Sequence, residues 1–424
     1  MLSLTILLLV LVKALFVVLL ALAFVPFLVW LERKGSAIIQ DRVGPNRAAI
    51  GFVRLGGLVH LLADSLKMLS KEDLIPREVD RFYYYLAPFL VAMVSLMLLA
   101  VMPFADQQWG VPMQVLTLNA GVIYILSIAS LNVYGIVLAG WSSSNKFALL
   151  GGLRSSAQLV SYEIPMGLAL VGALMVYNTV QLNEIVVAQG QVVLGFLPAW
   201  GIWYQPLGAI LFTICAFAET NRTPFDLAEG ESELVAGYHT EYAGMKFGLF
   251  FLAEYVAMVA SSALIVTLYF GGWQVPYFTT EGLIAHAALL FTIACLAAVP
   301  LLIWLAIAFH QSYLRNLGRF KDIRDQEGHI YSRLCWGLMM VALLAAVAAA
   351  LLPWPVWLAQ AFALVAQIGC FLVKILLMCA FFIWVRWTLP RFRYDQLMQL
   401  SWRTLLPLAL LNILLTGAMI LAKA

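Results

Sequence analysis

Residues 3–34 read SLTILLLVLVKALFVVLLALAFVPFLVWLERK, an apolar run broken only by Lys13 and stopped at Glu32-Arg33-Lys34. About 20 apolar residues in a helix cross a hydrocarbon core of ~30 Å, so this run reads as a membrane span. Ala21-Leu22-Ala23 mimics a signal-peptide cleavage site, but no basic segment precedes the run, which predicts a retained first span. Nine further apolar runs lie near residues 83–104, 115–140, 155–177, 203–218, 247–270, 283–309, 334–352, 359–385 and 404–421. The fifth span of the ten is short and follows Pro198 and Pro206, so an irregular start is expected there.

Composition points the same way. Of 424 residues, 63% are hydrophobic and 11% charged. Soluble domains carry roughly 45–50% apolar and about 25% charged residues. A net charge of +3 without a long basic run excludes a nucleic-acid binder. The fold class is therefore an all-α polytopic membrane protein with about ten spans. Basic residues give its orientation, because they accumulate on the cytoplasmic side. The connections after spans one, three, five, seven and nine hold 9, 2, 2, 5 and 4 Lys and Arg, which is 22 of the 25 in the chain. The opposite connections hold none. Both termini are expected outside, which in a bacterial inner membrane means the periplasmic side.

Two cytoplasmic connections are patterned. In residues 51–71 the apolar Leu55, Leu58, Val59, Leu62, Leu66 and Leu69 follow helical spacing, while His60, Asp64, Lys67 and Lys71 share another face. This predicts an amphipathic helix on the membrane surface. Residues 219–246 carry six acids (Glu219, Asp226, Glu229, Glu231, Glu233 and Glu241) against Arg222 and Lys246, the reverse of the usual cytoplasmic bias.

Ionisable residues inside a membrane are costly and mark function by default. Glu163 lies nine residues after Arg154, and Glu254 eight residues after Lys246. At about 1.5 Å per residue both sit roughly 12–14 Å below the cytoplasmic surface. Glu219 ends the fifth span on the same side. Three such carboxylates favour a proton relay or an ion path over three separate structural hydrogen bonds. Lys374, in the ninth span, needs a counter-charge or a wet cavity. The five cysteines form no C-x-x-C pair, no H-x-x-x-H occurs and no nucleotide fingerprint is present, so no metal or redox cofactor is expected in this chain.

Several motifs carry a resemblance. Trp30-Leu-Glu-Arg-Lys34, Gln40-Asp-Arg-Val-Gly-Pro-Asn-Arg47 and Leu62-Ala-Asp-Ser-Leu-Lys67 closely resemble the first cytoplasmic loop of the H-subunit family of respiratory complex I, the proton-pumping NADH:quinone oxidoreductase. Leu153-Arg-Ser-Ser-Ala-Gln158 with Ser161-Tyr-Glu163 looks like the same family, as does Leu389-Pro-Arg-Phe-Arg-Tyr-Asp-Gln-Leu-Met398. So does the long acidic segment Ala218-Glu-Thr-Asn-Arg-Thr-Pro-Phe-Asp-Leu-Ala-Glu-Gly-Glu-Ser-Glu233 with Glu241-Tyr242, which is highly specific.

The resemblance implies a non-redox subunit that joins the membrane arm to the peripheral arm and walls the chamber of a quinone such as ubiquinone. The isolated chain is then expected to be inactive. Arg33, Ala63, Asp64 and Phe225 match positions near that chamber. Glu163, Glu219, Asp226, Glu229, Glu231, Glu233 and Glu254 match a carboxylate chain that carries charge toward antiporter-like subunits. Glu32, Lys67, Glu72, Arg222, Glu241 and Lys374 are further charged candidates. FMN and the iron–sulfur clusters are expected in partner subunits, among them the peripheral-arm subunits that bind the quinone headgroup. The family has eight core spans, so residues 1–275 and 359–424 read as the core and 276–358 as an inserted transmembrane hairpin. Its loop, His310–Arg333, reads as a solvated surface. Alternatives are the equivalent subunit of a membrane-bound hydrogenase, formate hydrogenlyase or ferredoxin- or deazaflavin-linked dehydrogenase, and a stand-alone cation/proton transporter.

Overall fold

A computed structural model describes residues 2–50, 54–193, 195, 197–226, 237–318 and 324–423. The elements that position the site are helices, in the order α1 (Leu2–Ile39), α2 (Val59–Ser70), α3 (Arg81–Leu99), α4 (Gly121–Ser142), α5 (Lys146–Tyr177), α6 (Leu182–Ala188), α7 (Gly201–Tyr204) and α8 (Pro206–Glu219). They continue as α9 (Gly244–Tyr269), α10 (Thr280–Ala285), α11 (Ala287–Asn316), α12 (Arg324–Leu351), α13 (Val356–Thr388), α14 (Tyr394–Gln399) and α15 (Leu406–Lys423). A π-helical segment, Leu400–Leu405, joins the last two. Two small antiparallel hairpins, β1 (Ala105–Gln108) with β2 (Val111–Met113) and β3 (Val192–Val193) with β4 (Leu197–Pro198), lie in connections that carry no basic residue.

Nine helical stretches among the described residues are long and apolar enough to cross a membrane, and α8 is a shorter apolar helix beside them. The protein is an all-α polytopic membrane protein. With 14 residues, α8 is only about 21 Å long. It starts where the chain breaks at Gln205. That break is bonded across the bundle: Gln205 Nε2 donates to Thr416 Oγ1 at 2.6 Å, and Asn412 Nδ2 donates to Gln205 Oε1 at 3.0 Å. A polar group in hydrocarbon must find such partners inside the protein.

The bundle forms around α9, which packs on α3, α13, α2, α1 and α8. Nearly every residue of α9 from Met258 to Tyr269 is buried, as expected of a helix that is apolar on every face. By contrast α1 exposes Leu7, Leu8, Leu11, Leu15 and Leu19 on its outer side. Close crossings use small residues, because lipid removes the hydrophobic drive for helix association and leaves packing. A Cβ on Gly140 of α4 would lie 2.7 Å from the Ala148 carbonyl oxygen, and one on Gly152 of α5 would lie 3.2 Å from that of Ile136.

Two expectations change. The surface helix begins at Val59, not at residue 51, because Leu55, Gly56 and Gly57 all take positive φ (50°, 60° and 102°) and no α-helix passes through them. Its Val59 and Leu61 are buried while Leu62, Leu66 and Leu69 stay exposed, so the leucine stripe faces outward. The His310–Arg333 loop is largely absorbed into helix: α11 continues to Asn316 and α12 begins at Arg324. Glu327 of α12 is half-buried, and its Oε1 accepts from Tyr331 OH at 2.6 Å and from Gly56 N at 3.4 Å.

The α4–α5 crossing gives a direct check. Gly140→Leu should destabilise the subunit by about 1–3 kcal/mol through overpacking. Gly167→Ala, with nothing within 4 Å of its added Cβ, should leave thermal stability in detergent unchanged or slightly raised.

Candidate functional site

The site is built where α8 ends. Asn221 takes a left-handed conformation (φ 48°), and Arg222 N then bonds back to Phe217 O at 3.3 Å, which turns the chain under the helix. Gln158 of α5 holds this end, donating to Ala218 O at 2.8 Å and to Asn221 Oδ1 at 3.3 Å. The turn drives the Arg222 side chain into the bundle, where only 4% of it is exposed.

Helices α1 and α9 meet at that guanidinium. Glu32 of α1 lies 3.3 Å from Nη1, Glu254 of α9 lies 2.8 Å from Nε, and the Tyr255 ring stacks beneath it at 4.0 Å. The Glu254 oxygen sits off the N–H direction, so Nε has an ion pair without a formed hydrogen bond. Nη2 has no hydrogen-bond partner among the described residues. Tyr255 OH donates to Glu32 Oε2 at 2.8 Å, and Arg386 of α13 pairs with the other Glu32 oxygen. Burial alone would disfavour the arginine's charge, but Glu254, Tyr255 and Glu32 overcome it and hold its pKa above the ordinary value. Arg222 therefore stays charged.

Asp226 completes the cluster. Arg391 Nη2 lies 3.0 Å from its Oδ2, while its buried Oδ1 has no hydrogen-bond partner among the described residues. Burial raises its pKa even though Arg391, Arg386 and Arg222 oppose the rise. A cavity of about 90 Å³ opens here, bordered by Arg222, Asp226, Glu254, Arg386 and His239. Burial lowers the His239 pKa to about 4, so its imidazole is neutral at neutral pH.

A second pair of acids lies close by. Glu163 of α5 accepts a hydrogen bond from Ser130 of α4, and its charge acts on Glu219, the last residue of α8. The two groups of acids thus flank one helix end, with Glu219 on one side and the Arg222 turn on the other. Glu229, Glu231 and Glu233 lie outside the described residues.

The residues matched to the quinone chamber separate into two places. Arg33 of α1 pairs with Asp64 of α2, both side chains partly exposed, and Ala63 beside Asp64 is exposed. Phe225 is elsewhere: it is buried against Tyr162 and Phe392, with ring centroids 5.4 and 5.6 Å away. It borders an apolar cavity of about 580 Å³ together with Pro224, Phe217, Phe381 and Leu389.

Of the other charged candidates, Glu241 accepts from Asn145 Nδ2 at 2.7 Å at the start of α5, while Lys67 and Glu72 are exposed. Lys374 departs from expectation, since its ammonium donates to the carbonyl oxygens of Phe270, Gly272 and Gln274 at 2.9, 3.0 and 2.8 Å. Carbonyl dipoles, not a carboxylate, surround it. Sequence reasoning missed Tyr255, Arg386, Arg391, His239 and Ser130. Arg386 and Arg391 counted there only as cytoplasmic markers, and Tyr255 could have been found as the neighbour of Glu254.

Known proteins resemble this chain along most of its length. A family model described as NADH dehydrogenase matches residues 12–320 and 329–417. The H-subunit of the NADH-quinone oxidoreductase of Bdellovibrio bacteriovorus is 40% identical over 422 residues, covering 93% of this chain and 92% of that protein. H-subunit 1 of the NADH-quinone oxidoreductase of Solibacter usitatus is 41% identical over 399 residues, with 93% and 92% covered. NADH-quinone oxidoreductase subunit 8 of Rhodothermus marinus is 40% identical over 390 residues, with 92% and 90% covered. This polytopic membrane protein therefore stands among membrane subunits of the quinone-reducing type. It belongs to the NADH dehydrogenase family. The family match takes in much of residues 276–358, the segment expected to be an inserted hairpin.

Removing the central cation tests the cluster. Arg222→Met should cost about 3–5 kcal/mol by leaving buried carboxylates uncompensated, whereas Glu32→Gln with Arg222→Met should recover part of that loss. Thermal unfolding of the purified, detergent-solubilised complex reads both.

Proposed function

We propose that this chain is a membrane subunit of an NADH:quinone oxidoreductase that walls the quinone-access chamber and couples quinone reduction to proton translocation through its buried carboxylates. The sequence relatives carry the coarser part of this reading, since those compared above are named as NADH-quinone oxidoreductase subunits. FMN and the iron–sulfur clusters then belong to partner subunits. The chain is multi-pass in a bacterial inner membrane, with its basic connections facing the cytoplasm and both termini facing the periplasm. Residues 1–275 and 359–424 form the core, and 276–358 add a hairpin to it.

One observation supports the coupling most directly: Glu32 touches Arg222, and the next residue, Arg33, pairs with Asp64 of the surface helix. The quinone side and the buried cluster therefore share one turn of α1. Reduction of a quinone consumes two electrons and two protons, so charge must change near Arg33 and Asp64 on each turnover. A negative charge appearing there opposes Glu32 and loosens its hold on Arg222. The guanidinium then leans toward Glu254 and Asp226. Because Arg222 stays protonated, the compensating proton must move on or off a carboxylate, and Asp226, whose pKa burial raises, takes that part in this reading. Glu219 and Glu163 continue the path from the same helix end into the α4–α5 pair, and Glu229, Glu231 and Glu233 belong to it by their place in the acidic segment.

The reading is tested in the assembled complex. Glu254→Gln should depress quinone reduction and proton translocation together, each about ten-fold, while NADH oxidation by a hydrophilic acceptor at the peripheral arm is kept. Normal translocation in an assembled Glu163→Gln/Glu254→Gln variant would overturn the relay. Purification of the chain without flavin- and iron–sulfur-bearing partners, in a form active alone, would overturn the subunit assignment.

A further inference from the structure

The α11–α12 hairpin meets the bundle through α11, where Phe291 packs edge-on to Phe362 of α13 at 5.9 Å. Its cytoplasmic end does something more specific. The positive φ angles of Leu55, Gly56 and Gly57 bend the chain into a left-handed turn in which Gly57 N closes on Arg54 O at 3.1 Å while Gly56 N points out of the turn and is open to an anion. Glu327 of α12 supplies one: its Oε1 accepts from Gly56 N at 3.4 Å and from Tyr331 OH at 2.6 Å. The Leu55 and Gly56 backbone amides also lie close enough to the Tyr331 hydroxyl to act on it electrostatically.

A leucine in the left-handed region is strained, so this turn persists because its surroundings hold it. From the other side Trp30 Nε1 donates to Gly56 O at 3.1 Å. Gly57 is pressed so closely against the Pro45 carbonyl that a Cβ would lie 2.3 Å from its oxygen. The turn leads straight into α2, whose N-terminal residue Leu58 offers no side-chain cap. Where α2 starts is therefore decided by what grips the turn before it, and a carboxylate near that end also suits the helix dipole.

We propose that the hairpin is a positioning element for α2: Glu327 and Tyr331 clamp the Leu55–Gly57 turn and so set the placement of the surface helix that carries Ala63 and Asp64. The consequence for quinone access rests on the reading of α2 given under the proposed function. Glu327 and Tyr331 act through the backbone of α2 and touch no substrate.

Hydrogen exchange of the assembled complex tests the clamp itself. Glu327→Ala should speed exchange at the Leu55–Leu58 amides about ten-fold, and Glu327→Gln, which keeps an acceptor oxygen, should restore most of the protection. In the same Glu327→Ala preparation the KM for a long-tailed quinone should rise roughly five-fold, with kcat within about two-fold and the hydrophilic-acceptor activity unchanged. Should Glu327→Ala fail to assemble, Tyr331→Phe removes a single oxygen and carries the same comparison with smaller shifts. Unchanged exchange overturns the clamp. Ala63→Trp, on α2 itself, separates the remaining failures. If Ala63→Trp shifts KM and Glu327→Ala does not, the positioning role fails and the quinone reading stands; if neither shifts KM, the quinone reading fails and the proposal with it.

Discussion

A guanidinium that loses its water must be given opposite charge, and Arg222 obtains it from helices far apart in sequence. Glu32 of α1 and Glu254 of α9 flank it, Tyr255 stacks under it, and Arg386 of α13 balances Glu32 from the far side. These contacts fix how α1, α9 and α13 meet at the end of α8. Lysine would not substitute: its compact ammonium cannot stack flat on Tyr255 while reaching two carboxylates on different helices. Buried ion pairs add little net stability because desolvation cancels most of the attraction. Apolar packing would hold these helices at least as well, so the cluster is better understood by what its charges can do.

Charge balance gives that role its form. Glu32, Asp226 and Glu254 face Arg222, Arg386 and Arg391, so the cluster is neutral when every group is ionised. Adding one proton to one of its carboxylates would leave it positive. The small cavity beside Arg222 and Glu254 leaves space for such rearrangement, and neutral His239 adds no charge to the count. Arg222 Nη2 and Asp226 Oδ1, without hydrogen-bond partners among the described residues, fit a network that is not locked in one arrangement. A fully satisfied network would be stiffer and a poorer carrier of charge.

The spans were the most legible part of the fold, because twenty apolar residues in a row and the placement of Lys and Arg are local properties. The placement of Glu163 within α5 and of Glu254 within α9 followed from the apolar runs alone. What paired with them did not. Arg386 lies far along the chain from both Glu254 and Glu32, and nothing local marks it as a partner of either. The surface helix shows the opposite error: periodicity from Leu55 onward found the helix, but it ignores backbone strain, and Gly56-Gly57 was the signal that the helix begins later. Phe225 illustrates a third limit, since a motif match carries a residue to a neighbourhood without saying which wall of it the side chain joins.

Lys374 clarifies how the surroundings of Arg222 differ from those of another cation in the bundle. Its ammonium is met by three carbonyl oxygens from the end of α9 and the turn after it, and it lies over the Trp200 ring at 5.4 Å. Backbone dipoles cannot gain or lose a proton, so that cage has a single charge state and serves to pin α13 to the end of α9. The oxygens around Arg222 are carboxylates, and each has two charge states. Two cations inside one bundle thus differ in consequence through their acceptors: a fixed dipole cage makes a fastener, whereas a ring of titratable acids makes a site whose charge balance a nearby change of charge can shift. In the proposed coupling the adjacency of Glu32 and Arg33 supplies the route, because one turn of α1 faces the buried cluster with one residue and α2 with the next.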